Sequence, residues 1–403
     1  MSDDREREER RIGARPAVAH EEPSPASVSS VDLRAKGSRL WMVLIVAAAL
    51  AAAAAAALFA FSGKKKSEEN ARKAGEAAGD GHESADGTRG MEEAQALIIQ
   101  GLLEDLAKKP CDRGLALRAA VELTEKGEFK TVAKISDDFA RNCAGEPHVR
   151  LLRKGYYAHE QLEQWPQAAN VATLLIRAEP SEGAFWWWRG QARVKTNQLD
   201  IAAADLRQAM AATPFEDSRG YSLLDFADIA EKVGAPCDAA AGLRLYQELN
   251  PRGVAQRVRD LQAKLHLAGN CDAAYGTGQT AIAVDTTQPV PVTQVSVGKT
   301  AGKFLLSPRT GYTLLSRAFA DRAGVAASGA PLDSYAGGAL RSGVPAVAGK
   351  VGVGKAAATG VRVLVVDELP GGLDGVLGMS FMGRFSFAEF GDQVTLDAWA
   401  AGP

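Results

Sequence analysis

Histidine is scarce in this chain of 403 residues, and its scarcity excludes much chemistry. His20, His82, His148, His159 and His266 are the whole set, and no histidine follows residue 266. None is spaced with a cysteine as a metal-ligand cluster requires, so neither a metal nor a cofactor is expected. A basic excess is also missing: 47 Lys and Arg face 49 Asp and Glu, for a net charge of −2. Nucleic-acid binding leaves a basic footprint, so no nucleic-acid partner is expected. Aromatic residues make up only 6%. A phosphate-binding loop is nearly spelled by Gly349-Lys350-Val351-Gly352-Val353-Gly354-Lys355-Ala356. It lacks the Ser or Thr that would hold magnesium, and a strand rather than a helix follows. A β-hairpin turn is the expectation there.

Charge is absent from residues 40–62, which hold Trp41-Met42-Val43-Leu44-Ile45-Val46, an alanine run and Leu58-Phe59-Ala60-Phe61. Roughly 20 apolar residues suffice to cross a membrane, with Trp41 and Phe61 near the two interfaces. A cleaved signal peptide would be shorter and closer to the start. One transmembrane helix is therefore expected. Basic residues flank it almost equally, Arg34, Lys36 and Arg39 before and Lys64, Lys65 and Lys66 after. All four cysteines, Cys111, Cys143, Cys237 and Cys271, follow the run. An even number suits disulfides in an oxidising compartment. The expected pairs are Cys111 with Cys143 and Cys237 with Cys271, each flanking a helical pair. That places the bulk of the chain in the periplasm or outside the cell, with the N-terminus inside and a single pass through the membrane.

Residues 1–39 are too polar to bury a core and read as a cytoplasmic tail; residues 63–90 read as a flexible linker. From 91 to 272 the pattern is helical and repeats. Glu179-Pro180, Thr213-Pro214 and Asn250-Pro251 close successive units, and Ala168-Ala169, Ala203-Ala204 and Ala239-Ala240 sit earlier in each. A period of about 34–37 residues resembles the tetratricopeptide repeat, in which small residues let paired helices approach closely. Three successive tryptophans, Trp186, Trp187 and Trp188, cannot share one helical face. Some must pack in the core, and at least one is a candidate to line a binding groove or meet a neighbouring domain. After Cys271, short Val, Leu and Ile runs between Gly-rich turns indicate a small β domain.

Within that β domain, Phe304-Leu305-Leu306-Ser307-Pro308-Arg309-Thr310-Gly311 and then Gly372-Leu373-Asp374-Gly375-Val376-Leu377-Gly378 resemble, in order, the two landmarks of retropepsin-like aspartic proteases. The helix over residues 315–324 and the strand Val363-Leu364-Val365-Val366 fit the same frame. The expected fold is thus multidomain: transmembrane helix, tetratricopeptide-like repeats, then an all-β retropepsin-like domain over residues 275–403. The resemblance implies two catalytic aspartates sharing one proton, one from each copy of a homodimer. Here Ser307 stands in the Asp place, Pro308 in the Thr/Ser place and Arg309 in the Gly place. A serine hydroxyl does not ionise near neutral pH. Shifting the register to use Thr310-Gly311 puts Arg309 in the Asp place. Asp374, beside Gly375 and Gly378 in the second landmark, reads as structural, Asp367 as a strand end, and Asp333 as part of the flap.

The expectation is a membrane-anchored interaction protein whose repeats bind a protein partner. Its β domain would be a pseudoenzyme that binds extended peptide or dimerises without cutting. The alternative is an active aspartic peptidase that uses another acid. A third possibility is that the β domain only caps the repeats.

Overall fold

The computed structural model describes residues 84–212, 219–249, 256–283, 291–390 and 393–399. The chain divides into two units, 1–87 and 88–403; of the first, only the opening turn of the first helix is described.

Helix α1 (Ser84–Lys108) leads into antiparallel pairs of nearly constant length. These are α2 (Arg113–Glu125) with α3 (Phe129–Asn142), and α4 (Val149–Gln161) with α5 (Trp165–Ala178). Next come α6 (Gly183–Lys195) with α7 (Leu199–Ala212), and α8 (Arg219–Ala230) with α9 (Pro236–Leu249). A last helix, α10 (Gln256–Gly269), ends the series.

One turn design recurs inside the pairs. Gly127, Glu163, Asn197 and Gly234 take positive φ. The next residue's N–H then reaches back five residues: Glu128 to Leu123, Gln164 to His159, Gln198 to Arg193 and Ala235 to Ala230. This is the Schellman helix stop, in which a left-handed residue satisfies a free carbonyl. Small residues decide how closely the helices pack. A Cβ on Gly155 would stand 2.1 Å from Ser136 Oγ, and one on Gly190 would stand 2.9 Å from Leu206. The cysteines pair as Cys111–Cys143 and Cys237–Cys271. The first bond closes the α2–α3 hairpin, and the second ties α9 to the end of α10.

The β domain is built from β1 (Gln279–Ala283), β2 (Val292–Val297), β3 (Thr300–Leu306), β4 (Thr313–Ser316), β5 (Leu332–Ala336), β6 (Ala339–Val353), β7 (Ala356–Val366), β8 (Gly375–Leu377), β9 (Ser386–Phe390) and β10 (Gln393–Asp397). The main sheet runs β2-β3-β8-β4-β7-β6-β5, and a second β2–β6 pairing closes it into a barrel. β8 lies parallel to β3 and antiparallel to β4, so the β3–β4 connection must arch over its end. Phe304, Leu306, Leu315, Phe319, Val363 and Phe381 fill the interior. β1, β10 and β9 form a separate antiparallel sheet. Helix α11 (Arg317–Ala323) starts where the Ser316 hydroxyl accepts from Phe319 N–H, and stops at left-handed Gly324. A four-residue helix, α12 (Met379–Met382), follows β8. The stretch that mimics a phosphate loop is the β6–β7 hairpin, with Val353 opposite Ala356 and Gly354 at positive φ.

One expectation is corrected. Among the described residues no helix is long and apolar enough to cross a membrane. α1 has the length, at 25 residues, but its sequence carries Glu104, Asp105 and Lys108. The described fold is therefore a helical repeat array followed by a β domain, without a transmembrane helix. The apolar run at 40–62 lies outside the described residues.

Candidate functional site

The β3–β4 connection holds Ser307, Pro308 and Arg309, and the strand order carries it over the end of β8. The two landmarks meet there. Ser307 N–H donates to the Leu377 carbonyl at 3.0 Å, and the Thr310 carbonyl accepts from Met379 N–H at 2.8 Å. Thr313 N–H donates to Ser380 Oγ at 2.8 Å, while Thr313 Oγ1 accepts from Gly378 N–H at 3.2 Å. Only glycine fits at 378, because a Cβ there would lie 2.2 Å from the Tyr312 carbonyl oxygen. Gly375 is equally constrained, since its Cβ would meet the Phe304 ring at 2.1 Å.

The chemistry of this loop is weak. Ser307 Oγ and Thr310 Oγ1 share a hydrogen bond of 2.8 Å. Among the described residues no carboxylate bonds to either hydroxyl. Asp374 is committed elsewhere: it accepts from Lys303 N–H at 2.9 Å and pairs with Arg322 at 2.6 Å, stapling β3 to α11. Asp367 pairs with Arg317 on the surface, and Asp333 reaches Arg189 of α6 at 3.1 Å. Two hydroxyls with no base beside them form neither an acid–base pair nor an activated nucleophile.

Helix α7 covers the loop. Gln208, fully buried, donates from Nε2 to the Arg309 carbonyl at 3.0 Å. Its Oε1 accepts from Gly311 N–H at 3.1 Å, Ser334 Oγ at 2.7 Å and Tyr335 N–H at 3.1 Å. One side chain thus bridges the loop and strand β5. The backbones also touch, since a Cβ on Gly311 would stand 2.9 Å from Gln208 Cα. Arg309, in the place the resemblance gives to glycine, reaches out and donates to the Ala212 carbonyl at the end of α7. A cation at a helix C-terminus is favourable.

Two buried ionic clusters flank this contact. Asp205 of α7 pairs with Arg189 at 2.7 Å and Arg193 at 2.6 Å. Burial pushes its carboxyl up against the pull of both guanidiniums. Asp238 of α9 holds Arg207 at 2.7 Å, Arg384 at 3.0 Å and Arg362 at 3.6 Å, the last two from the β domain. Burial alone would raise Asp238, but the three cations outweigh it and hold the carboxyl below its usual range. Arg207 also lies over the rings of Phe226 and Tyr312, at 5.1 and 4.8 Å.

The tryptophans separate. Trp186 is sealed in the helical core, its Nε1 on the Pro180 carbonyl. Half-buried Trp187 donates to Asp225 of α8 at 2.6 Å. Trp188 stacks on Tyr156 at 4.7 Å and lines a surface groove.

Gln208, Asp205 and Asp238 were not singled out by the sequence reading. A signal was available in α7, where Asp205, Arg207 and Gln208 crowd one turn of an alanine-rich helix. These polar residues lie off the apolar stripe of Leu199, Ala202, Ala203, Leu206 and Met210, yet all three are buried, so the helix is covered on its polar side as well.

No family model matches the chain, and no curated protein does. Among solved structures, a retropepsin-like aspartic protease from Rickettsia conorii is similar at 22% identity and TM-score 0.24, over 30% of this chain and 94% of that one. A tetratricopeptide repeat protein from Parabacteroides merdae is similar at 13% identity and TM-score 0.33, over 45% and 70%. YrrB, described as a repeat protein with an unusual peptide-binding site, is similar at 13% identity and TM-score 0.32, over 42% and 96%. Scores this low leave the reading of the site to its own geometry.

Proposed function

We propose that this is a non-catalytic interaction protein in which the helical repeats engage a protein or peptide partner and the β domain braces them. One observation carries the reading: Gln208 of α7 occupies the Arg309 carbonyl and Gly311 N–H of the loop together with the Ser334 hydroxyl and Tyr335 N–H of β5. An extended peptide binding there would need those same backbone groups. The resemblance would have a twin copy face the loop, but here α7 faces it. Of the expected roles for the β domain, the geometry therefore favours the cap over peptide capture or dimerisation.

The test is cleavage of a diverse peptide library by the purified full chain from acid to neutral pH. A variant combining Ser307→Asp, Pro308→Thr and Arg309→Gly runs beside it. Neither should cut, because α7 covers the loop in both. Cutting by the unmodified chain would establish a peptidase with an acid outside the loop. Cutting by the variant alone would show a cleft open to substrate, and the brace would be wrong.

The two disulfides support an oxidising, extracytoplasmic compartment as the chain's place of work. Rapid alkylation of intact cells, followed by gel-shift counting of free thiols, should find none in the mature protein. Four free thiols would contradict that location.

A further inference from the structure

The first helices of three successive repeats present one continuous groove. α2 contributes Leu117, Val121 and Thr124; α4 contributes Arg150, Arg153, Lys154 and Tyr157; α6 contributes Trp188. Its volume is about 460 Å³. No acidic side chain lines it. Among the described residues, none of the three cations is in an ion pair, although twelve pairs elsewhere hold an Arg or Lys to a carboxylate. Three unpaired cations on adjoining turns repel one another, a cost that an anionic partner would relieve.

The aromatic floor is set in advance. Trp188 is held between Tyr156, stacked at 4.7 Å, and Phe185 at 5.4 Å. Tyr156 hydroxyl also donates to the Trp188 carbonyl at 3.1 Å. Arg153 lies 5.8 Å from the Trp188 ring centre. Tyr157 is 41% exposed, and its ring meets Phe129 of α3 in a T-shaped contact at 5.6 Å. Rigid aromatic surface beside unpaired cations is the composition of a binding hot spot.

We propose that this groove binds an extended acidic segment of a partner protein, its carboxylates on Arg150, Arg153 and Lys154 and an apolar side chain against Tyr157 and Trp188. The assignment rests on the repeats being the partner-binding surface. Complementary charge mainly steers and selects such a partner, while the aromatic contact holds it.

The test is fluorescence anisotropy with the full chain and three pools of labelled dodecapeptides that share apolar positions but are acidic, neutral or basic elsewhere. A single-stranded RNA oligonucleotide serves as a plain polyanion. The acidic pool should bind best, and binding should weaken at least tenfold in a variant carrying Arg153→Glu and Lys154→Glu. Tyr157→Ala should weaken it several-fold with the helical circular dichroism unchanged. Raised salt should loosen the complex. Preference for the neutral or basic pool, or indifference to the charge reversal, would overturn this assignment while leaving the repeats a binding surface. RNA binding more tightly through the same cations would overturn the peptide occupant. No binding by any pool would overturn both the assignment and the reading beneath it.

Discussion

Gly311 and Gln208 are locked together: the Gly311 N–H donates to Gln208 Oε1 at 3.1 Å, and the glycine leaves no room for a side chain against the α7 backbone. The loop that resembles a protease active site is thereby an internal joint between a β barrel and a helical repeat. Gln208→Ala would strip partners from the Arg309 carbonyl, the Gly311 and Tyr335 N–H groups and the Ser334 hydroxyl. Buried groups left unpaired cost about 1–3 kcal/mol each when water does not reach them. A loss of about 3 kcal/mol or more is expected, read as a lower urea midpoint. An unchanged midpoint would mean that the joint carries no stability.

Asp238 gives the joint a pH dependence. Its folded carboxyl lies below the usual value, so the stability it contributes is complete above the unfolded value of about 3.9. That contribution is lost as pH falls through the lower folded value. Asp238→Asn, which leaves Arg207, Arg362 and Arg384 facing no carboxylate, should destabilise by about 3–5 kcal/mol near neutrality. The gap between the two proteins should narrow as urea titrations are repeated at lower pH, beginning below about pH 4. A gap constant down to acid pH would assign the effect to packing instead.

The first repeat depends on its covalent tie. Cys111→Ser with Cys143→Ser releases a closure spanning 32 residues. A loss of about 3 kcal/mol is expected, seen as a drop in melting temperature under non-reducing conditions relative to the unmodified protein. Equal melting temperatures would contradict it.

Glu163 holds a left-handed turn, at φ 55°, where Gly127 and Gly234 hold the matching turns. A side chain there costs about 1 kcal/mol relative to glycine. Glu163→Gly should therefore stabilise the protein by about that much in urea titration. Destabilisation would show that the glutamate side chain does something its turn does not require.

The repeats were legible because their punctuation is local. Turn residues, alanine pairs and a 34–37-residue period all act within one unit, and the cysteine pairs followed from the same layout. In the β domain the apolar runs marked β1, β2, β3, β6, β7 and β10. β8, three residues long and held by neighbours distant in sequence, was marked only by the landmark that contains it. The landmarks at 304–311 and 372–378 were visible, and the barrel does bring them together. Their enclosure was not visible, since it depends on Gln208, which lies 103 residues from its partner Gly311. No periodicity records such a contact.

Hydrogen exchange, followed by mass spectrometry on the full chain, tests the brace most directly. Gly311 and Tyr335 N–H groups both end on Gln208 Oε1. Segments containing residues 307–312 and 332–336 should therefore exchange as slowly as barrel strand β7. Gln208→Ala should release both together. Rapid exchange of the two segments in the unmodified protein would mean that the cleft stands open, and the account of a closed, non-catalytic brace would be wrong.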